Sequence, residues 1–581
     1  MRRALLSFSI SLVFIIFTAS NSNAQSFEWG KTIGGNDIER SNDLVTDQAG
    51  NVYIAGTFTG AVDVDPSSGV SRLYSGPFNT SAAFIEKLDA QGNFQWAVSF
   101  ADTVNINARV YISSIEVDQT GNLYCTGNFR DAVDFDPGPS SSVLRSSGEA
   151  DVFILKLDNS GNFLWVKSIG GKGAANSYSI ELDSLKNIYI GGNFRDSCDF
   201  DPGMSTYILN KVGDTTIASN LFILKLDSNA NFLWVKTWHG NSTIYPSDID
   251  VDQLGNVYAT GWFGFDSVNF DPGNGTFYIN APFSVLYIQK LDPLGNFVWA
   301  KAIQGTNSGS AIPKNIIAYE SSNIYITGIF RDTIDVDPGT GVFNLASMGN
   351  TSDDIFVLNI NSSGTFNWGR SFGGPDQDYC QATYVDSLGS VYTTGYFRGT
   401  SDLDPGLGIN PHSAVDLTDC YVQKMNKNGG FEWAVSYGGS SHDIGYAISV
   451  DKLGNVYTCG EFDVNIDLDP GPVNSTRAAL GGSDIFIQKL NQTITGFNDF
   501  IRINEGLLIY PNPSNDHINL QFNEPITAIK LSLSDLSGKI VYRKYFEKLN
   551  EAQIELPDVE GIYLLNLESS AMSRVFKVVK Q

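Results

Sequence analysis

Apolar and polar residues alternate along most of this chain in runs of four to eight, each run closed by a polar loop rich in glycine, and two phrases recur. The first is Asp-x-x-Gly-Asn, an apolar residue, Tyr, two residues and Gly, as in Asp47–Gly56, Asp118–Gly127, Asp252–Gly261 and Asp451–Gly460, with degraded copies after Asp183, Tyr319 and Asp386. The second is Phe-Ile-x-Lys-Leu-Asp-x-x-Gly-Asn-Phe-x-Trp, as in Phe84–Trp96 and Phe153–Trp165, with looser copies from Phe222, Tyr287, Phe356 and Tyr421. Runs rich in Val, Ile, Tyr and Phe around an Asp/Gly/Asn loop predict β-hairpins. Asp can bond the backbone two residues on, and Gly or Asn tolerates the positive φ of a tight turn. Two such hairpins make a four-stranded meander, and Trp29, Trp96, Trp165, Trp234, Trp299, Trp368 and Trp433 mark its period, with gaps of 67, 69, 69, 65, 69 and 65 residues. A repeat of this length predicts a radial or solenoid array.

The strand count predicts how the array closes. The first Trp phrase, Phe27–Gly35, has no Phe-Ile-x-Lys-Leu partner before it, and the last such strand, Phe486–Leu490, has no Trp strand after it. Pairing the two orphans yields seven full meanders, an all-β seven-bladed propeller over residues 25–491 closed between its amino-terminal strand and its last blade, with few exposed sheet edges. Phrases such as Ile33-Gly-Gly-Asn-Asp37 running on to Val45, and Tyr437-Gly-Gly-Ser-Ser-His-Asp443 running on to Val450-Asp-Lys-Leu-Gly-Asn-Val-Tyr457, resemble the bacterial SBBP-type seven-bladed propeller repeats. That resemblance implies a fold and no single activity.

After residue 491 the repeat stops, a polar linker covers 492–506, and residues 507–581 change pattern. Alternation in Ile518–Phe522, Leu531–Lys539, Gly561–Leu565 and Val575–Val579 predicts a small β-sandwich. The Tyr510-Pro-Asn-Pro513 opening, the Asp535-Leu-Ser-Gly-Lys539 turn, the Gly561-Ile-Tyr strand and the Lys577 end strand resemble the type A carboxyl-terminal sorting domain of the type IX secretion system of Bacteroidota. The resemblance implies a partnership between residues 507–581 and the type IX machinery, and a protein that ends up secreted or on the outer-membrane surface. Residues 1–24 fit the same route. Arg2 and Arg3, an apolar run from Leu5 to Phe17 and a Ser22-Asn23-Ala24 cleavage site read as a secretory signal peptide. The run is shorter than the ~20 residues a membrane span needs, and no later segment qualifies.

Charge narrows the partners. A net charge of −26 sets a nucleic-acid or anionic-membrane partner against the overall field. Five cysteines, Cys125, Cys198, Cys380, Cys420 and Cys459, are odd in number and contain no Cys-x-x-Cys pair, so at least one is free. Cys125 and Cys459 read as buried thiols, and a Cys380–Cys420 bridge within one repeat is disfavoured, because first and third strands of a meander are not neighbours.

The recurrent candidate chemistry is acidic. Asp63 with Asp65, Asp134 with Asp136, Asp199 with Asp201, Asn269 with Asp271, Asp335 with Asp337, Asp402 with Asp404 and Asp467 with Asp469 stand once per repeat before Pro, in the long connection between second and third strands. In extended chain, residues two apart point the same way, so each pair can offer two oxygens to a hard cation, and calcium is the candidate cofactor. The alternative is structural: the outer Asp starts the turn and the inner one solvates a strand end. Asp37, Asp378 and Asp443, after the Gly-Gly phrases, are expected on the same face. The periodic Trp reads as packing between repeats and the Phe-Ile-x-Lys lysine as a stem laid along a sheet. Trp238 and Trp262 fall outside the series and are candidates for an exposed sugar-stacking platform. The four histidines form no zinc pair and no nucleophile elbow. The chain reads as a non-catalytic extracellular binder of polysaccharide or of a surface protein. A glycosidase or lyase using loop carboxylates, and a purely structural matrix component, are the alternatives.

Overall fold

The computed structural model describes residues 25–76, 81–101, 109–212, 219–239, 244–349, 352–492, 507–510, 517–535, 539–557, 559, 561–569 and 573–580. The signal peptide, nearly all of the linker and parts of the sorting motifs (511–513 and 536–538) lie outside them. Two compact units carry the described chain, Gln25–Gln492 and the residues that follow it. Among the described residues every regular element is a β-strand.

The first unit consists of four-stranded antiparallel meanders. Meander 1 runs Glu39–Thr46, Val52–Thr59, Ser81–Leu88, Phe94–Phe100. Meander 2 runs Arg109–Val117, Leu123–Arg130, Asp151–Leu157, Phe163–Gly171. Meander 3 runs Ala175–Leu182, Ile188–Phe194, Asn220–Leu226, Phe232–Trp238. Meander 4 runs Ile244–Val251, Val257–Asn269, Tyr278–Leu291 and then into the long strand Phe297–Tyr319, whose second half opens meander 5 with Asn323–Asp335, Asp353–Asn361 and Phe366–Phe372. Meander 6 runs Asp378–Val385, Val391–Phe397, Asp419–Met425, Phe431–Ser440. Meander 7 joins the two ends of the unit: Asp443–Val450, Val456–Phe462 and Asp484–Gln492 are completed by Gln25–Gly35, with Phe27 opposite Leu490 and Ile33 opposite Ile485. The first strand of each meander touches those of both neighbours, and the seventh touches the first.

Apolar burial explains why the second and third strands read as unbroken apolar runs. There is no single core. One cluster lies at each contact between sheets, such as Tyr53, Ile85 and Phe100 against Ile112, Leu123 and Phe153 between meanders 1 and 2, and Ile54 and Phe84 against Tyr457 and Ile487 between 1 and 7. Each sheet is thus covered on both faces, which favours continuous Val/Ile/Leu runs over strict alternation. All five cysteines are buried free thiols, so no Cys380–Cys420 bridge forms. The two residues sit on the first and third strands of meander 6, which both pair with Val391–Phe397 and not with each other.

The periodic Trp, Lys and Tyr make one recurring joint. In meander 1 the Trp96 indole and the Lys87 ammonium both donate to the Asn159 carbonyl in the last turn of meander 2, at 3.2 and 3.0 Å. Lys87 also lies over the Tyr53 ring, 4.8 Å from its centroid. Trp29 and Lys489 clasp Ala90 in the same way, as Trp234 and Lys225 clasp Pro293 and Trp299 and Lys290 clasp Ser362. The lysine therefore grips the neighbouring sheet. The Asp of each Asp-x-x-Gly-Asn turn is consumed locally: Asp47 accepts from the backbone of Ala49 and Asn51, the Asn51 amide and the Tyr53 hydroxyl.

A β-bulge interrupts every first strand at one place, between Ser41/Asp43, Ile112/Ser114, Ser177/Ser179, Pro246/Asp248, Pro313/Asn315, Cys380/Ala382 and Gly445/Ala447. Opposite each stands a glycine, such as Gly127, where an added Cβ would overlap the Tyr111 carbonyl oxygen. That obstacle is backbone and cannot swing away.

The described part of the carboxyl-terminal unit is antiparallel β throughout. One antiparallel sheet is ordered Leu507–Tyr510, His517–Asp535, Gly561–Glu568, Ser573–Lys580, with Ile540–Glu555 also on His517–Asp535. The long strand His517–Asp535 is shared by both partners, so the halves stay one sheet around Ile518, Leu531, Ile554, Leu565 and Val578.

Gly127→Ala is expected to destabilise the first unit by about 1–3 kcal/mol, as overpacking against fixed backbone does. Urea unfolding checks this, and an unchanged midpoint would contradict the close-approach explanation.

Candidate functional site

The repeated acidic loops form a common turn. Each pair opens a short hairpin, such as Ala132–Asp134 with Val143–Arg145, inserted between second and third strands. In several repeats that hairpin is tied to the last strand of the preceding meander, as Gly34 and Gly35 opposite Asp63 and Val62 show.

Within these turns the structure differs from the expected pair of free cation ligands, because one oxygen of each acid is already spent on backbone. The first acid of a pair bonds two N–H groups across the hairpin. Asp134 Oδ1 accepts from Asp136 and Ser142 at 3.1 and 2.7 Å, and Asp63, Asp199, Asp335, Asp402 and Asp467 bond the equivalent N–H groups. The second acid bonds the N–H two residues on and so starts the turn. Asp65 accepts from Ser67 at 2.9 Å, Asp136 from Gly138 at 2.8 Å, Asp201 from Gly203 at 2.8 Å and Asp271 from Gly273 at 2.8 Å. Asp337 accepts from Gly339 at 2.8 Å, Asp404 from Gly406 at 2.7 Å and Asp469 from Gly471 at 2.8 Å. The remaining oxygen of Asp65, Asp271, Asp337 and Asp404 folds back over a glycine of the same loop, where a Cβ added to Gly69, Gly275, Gly341 or Gly408 would overlap it. Asn269 takes the place of a first acid, accepting from Asp271 and Phe277 at 3.2 and 2.7 Å. A neutral amide thus serves where six carboxylates do, so the turn needs an acceptor and not a charge. Among the described residues no three His, Cys, Asp or Glu side chains gather as a metal-binding group.

The first strands line a central cavity of about 390 Å³. Its walls carry Asp43, Glu116, Glu181, Asp248 and Asp250 against Lys314. Asp43 accepts from the Ile115 N–H at 2.8 Å, and Asp248 and Asp250 accept from Ile316 and Ala318 at 3.0 and 2.7 Å, so these acids staple neighbouring meanders. Enclosure by protein pushes Asp43 up to about 6 and Asp248 to about 7, and it also raises Glu116 and Glu181. The same enclosure lowers Lys314. This acidic lining went unread in the sequence, because the first strand is the least repetitive phrase of each repeat.

Aromatic side chains mark the end of the sheets from which the acidic loops depart. On meander 4 Tyr245 and Trp262 face each other across the first two strands and stack, with ring centroids 4.2 Å apart and planes 18° apart. Tyr245 is 41 % exposed. Three residues beyond Trp262, Phe265 is 79 % exposed and holds a left-handed backbone at φ 64°. Five of the six other repeats place Gly60, Asp131, Asp196, Asp332 and Gly399 there, residue types that tolerate positive φ far better than a bulky aromatic does, and meander 7 has Val464 without positive φ. Phe283, 56 % exposed, follows on the adjoining strand. Meander 6 carries a second stack, Tyr379 on Tyr396, at 4.9 Å and 6°.

Trp262 is half-buried in this patch, whereas Trp238 is not exposed. Trp238 is 2 % exposed and donates to the Phe270 carbonyl at 3.0 Å, because its strand end is roofed by the acidic hairpin of meander 4. Asp378 and Asp443 do not line the loop face either: both are fully buried. His412 is held between Ser436 and Asn410 at 2.8 and 2.7 Å. Phe265 was missed although visible on aligning the repeats, since it is the one aromatic at a Gly/Asp position.

Comparison with known proteins assigns the carboxyl-terminal unit. Residues 508–581 match the family model of a secretion system C-terminal sorting domain. That match marks the chain for secretion or display at the cell surface. Part of the chain is similar to the uncharacterized WD repeat-containing protein L264 of Acanthamoeba polyphaga mimivirus, 24% identical over 48% of this chain and 23% of that protein. It is also similar to the regulatory protein FlaEY of Caulobacter vibrioides, 25% identical over 33% of this chain and 19% of that protein. The chain spans less than a quarter of the length of these curated relatives. Among solved structures, the plexin A4 extracellular region aligns over 94% of this chain and 62% of its own at 9% identity, with a TM-score of 0.24.

Asp134→Asn is expected to leave the melting temperature unchanged, with calcium or with EDTA, as Asn269 implies. Calcium-dependent stabilisation in the parent that the variant loses would instead place a cation at the acidic turn.

Proposed function

We propose that the seven meanders are the blades of a closed propeller that binds an extracellular polysaccharide without catalysis, through the aromatic patch of meander 4. The ring contacts of the first strands and the pairing of Gln25–Gly35 with Asp484–Gln492 support closure. The observation that carries the ligand class is the stack of exposed Tyr245 on half-buried Trp262 beside exposed Phe265. Flat, part-exposed aromatic faces suit the apolar faces of sugar rings, and their hydroxyl and indole edges can bond sugar hydroxyls. Backbone strain is retained where it serves function, and a bulky residue at positive φ costs about 1–3 kcal/mol. Calcium is not needed for this reading. Repetition argues against catalysis, since the loop acids are equivalent turn acceptors rather than one poised pair.

Binding is tested with the mature chain from Gln25 on a panel of bacterial, algal and plant polysaccharides, with reducing-end release assayed in the same wells. Trp262→Ala should weaken binding at least tenfold, and Phe265→Gly should weaken it while making the protein about 1 kcal/mol more stable by releasing strain. Unaltered affinity in both variants would remove the patch from consideration, and cleavage would replace the binding reading with an enzymatic one.

Deletion of residues 508–581 is expected to stop export in a type IX-competent host, leaving the protein behind the outer membrane, as cell fractionation and immunoblotting would show. Normal secretion of the truncated chain would contradict the sorting role.

A further inference from the structure

Three junctions between meanders each bury two carboxyls. Glu39 meets Asp484, Asp378 meets Asp354 and Asp443 meets Asp419, and all six are between 0 and 3 % exposed. In every pair one acid opens a first strand and the other stands in the first two residues of the third strand of the preceding meander. One oxygen of each is satisfied. Glu39, Asp378 and Asp443 accept from the N–H of Gly35, Gly374 and Gly439 at 2.9, 2.7 and 2.7 Å. Asp484, Asp354 and Asp419 accept from Leu480, Met348 and Val415 at 3.0, 2.8 and 3.2 Å. The other oxygen of all six is buried with no hydrogen-bond partner. At one junction both carboxyls lie over bare glycine: a Cβ added to Gly373 would lie 2.9 Å from Asp378 Oδ2, the oxygen bonded to Gly374, and 3.0 Å from the unpartnered Asp354 Oδ1.

At the other junctions no two carboxyls meet, although Asp151 is buried there singly with its second oxygen likewise unpartnered. The equivalent positions are Ala82 with Val110 and Val285 with Ala311, apolar on both sides, while Asp151 faces Ala175 and Asn220 faces Ile244. The three acid pairs occupy consecutive junctions, 5–6, 6–7 and 7–1, and so flank the meander that joins the two ends of the unit.

We propose that each pair is locked by one shared proton, one carboxyl donating to the other's carboxylate, so that this arc forms a pH-sensitive seam. Two ionised carboxylates without a cation cannot be buried together at tolerable cost, and a single proton halves the charge while supplying the missing donor. The charged groups bearing on the pairs are further carboxylates: Asp37 on Glu39, Asp376 on Asp378, Asp463 on Asp443, Asp353 on Asp354 and Asp416 on Asp419. Ser401 adds a hydroxyl beside Asp378. Burial first, and the neighbouring acids second, push Asp378 and Asp443 up to about 8 and Glu39 to about 7. Unfolded carboxyls release their protons near pH 4, so the folded state holds the extra protons. Stability from the seam is therefore complete at acid pH and is lost as pH rises through about 8.

The test follows the melting temperature of the mature chain from pH 5 to 9.5 beside the triple variant Glu39→Gln, Asp378→Asn, Asp443→Asn. Each amide can accept the same glycine N–H and donate to the facing carboxylate without a solution proton. The parent should lose several degrees between pH 6 and 9, and the variant should lose clearly less, the remainder belonging to the cavity acids. Infrared spectroscopy of the folded parent at pH 7 should show protonated-carboxyl stretches that weaken above pH 8. Equal pH dependence in parent and variant, or absence of protonated carboxyl at pH 7 should the variant fail to fold, would overturn the proposal. So would rescue of the parent at pH 9 by calcium with destabilisation by EDTA at pH 7, which would put a cation between the acids.

Discussion

The first unit depends on its sheets being covered on both faces by their neighbours, so that no sheet is stable alone. A four-stranded meander whose second and third strands carry Val, Ile, Leu, Phe and Tyr toward both sides must find cover twice. The joint that places the cover is polar. A lysine and a tryptophan from one meander converge on a single carbonyl in the last turn of the next, the ammonium resting over a buried tyrosine ring. Cation–π contacts of this kind contribute about 0.5–2 kcal/mol each. Their value here lies mainly in orientation, because a carbonyl gripped by two donors fixes how far and at what angle adjacent sheets meet. The joint recurs with replacements: in meander 5 Asn359 stands in the lysine position, and Arg370 donates to the Gly429 carbonyl at 2.9 Å.

Polar groups follow the same logic of division between sheets. The turn acids are spent on their own loops, and the cavity acids Asp43, Asp248 and Asp250 are spent on the backbone of the next first strand. What remains for a ligand is the surface where repeats differ. Meander 4 departs from its siblings, with an aromatic in a backbone conformation that five of the six others give to glycine or aspartate. The sorting tail marks the chain for the cell exterior, where a surface of this kind would be presented.

Much of this was legible in the residues. Tyr, Lys, Trp and the Asp-x-x-Gly-Asn turns recur because each makes the same bonds in each sheet, and the unpaired strands at the two ends pointed to each other. The turn role of the acidic pairs was also readable, since Asn269 already stands in for an aspartate. Burial was harder to read. Trp238 looked like an exposed ring and is roofed by a hairpin from its neighbour, while Asp378 and Asp443 looked like loop acids and lie at zero exposure between sheets.

By itself the sequence determined the four main strands of each repeat, their pairing and the sorting tail, because these rest on periodicity, turn chemistry and motifs that act over a few residues; the short hairpins of the acidic loops went unread. Only the tertiary structure decided which groups share a junction. Glu39 lies more than four hundred residues from Asp484, and the carboxyls meet because the ends of the unit pair. The stacking of Tyr245 on Trp262 and the enclosure of the cavity acids likewise depend on register and on neighbouring sheets. A one-dimensional repeat records what each sheet contains, and the third dimension sets what each side chain faces.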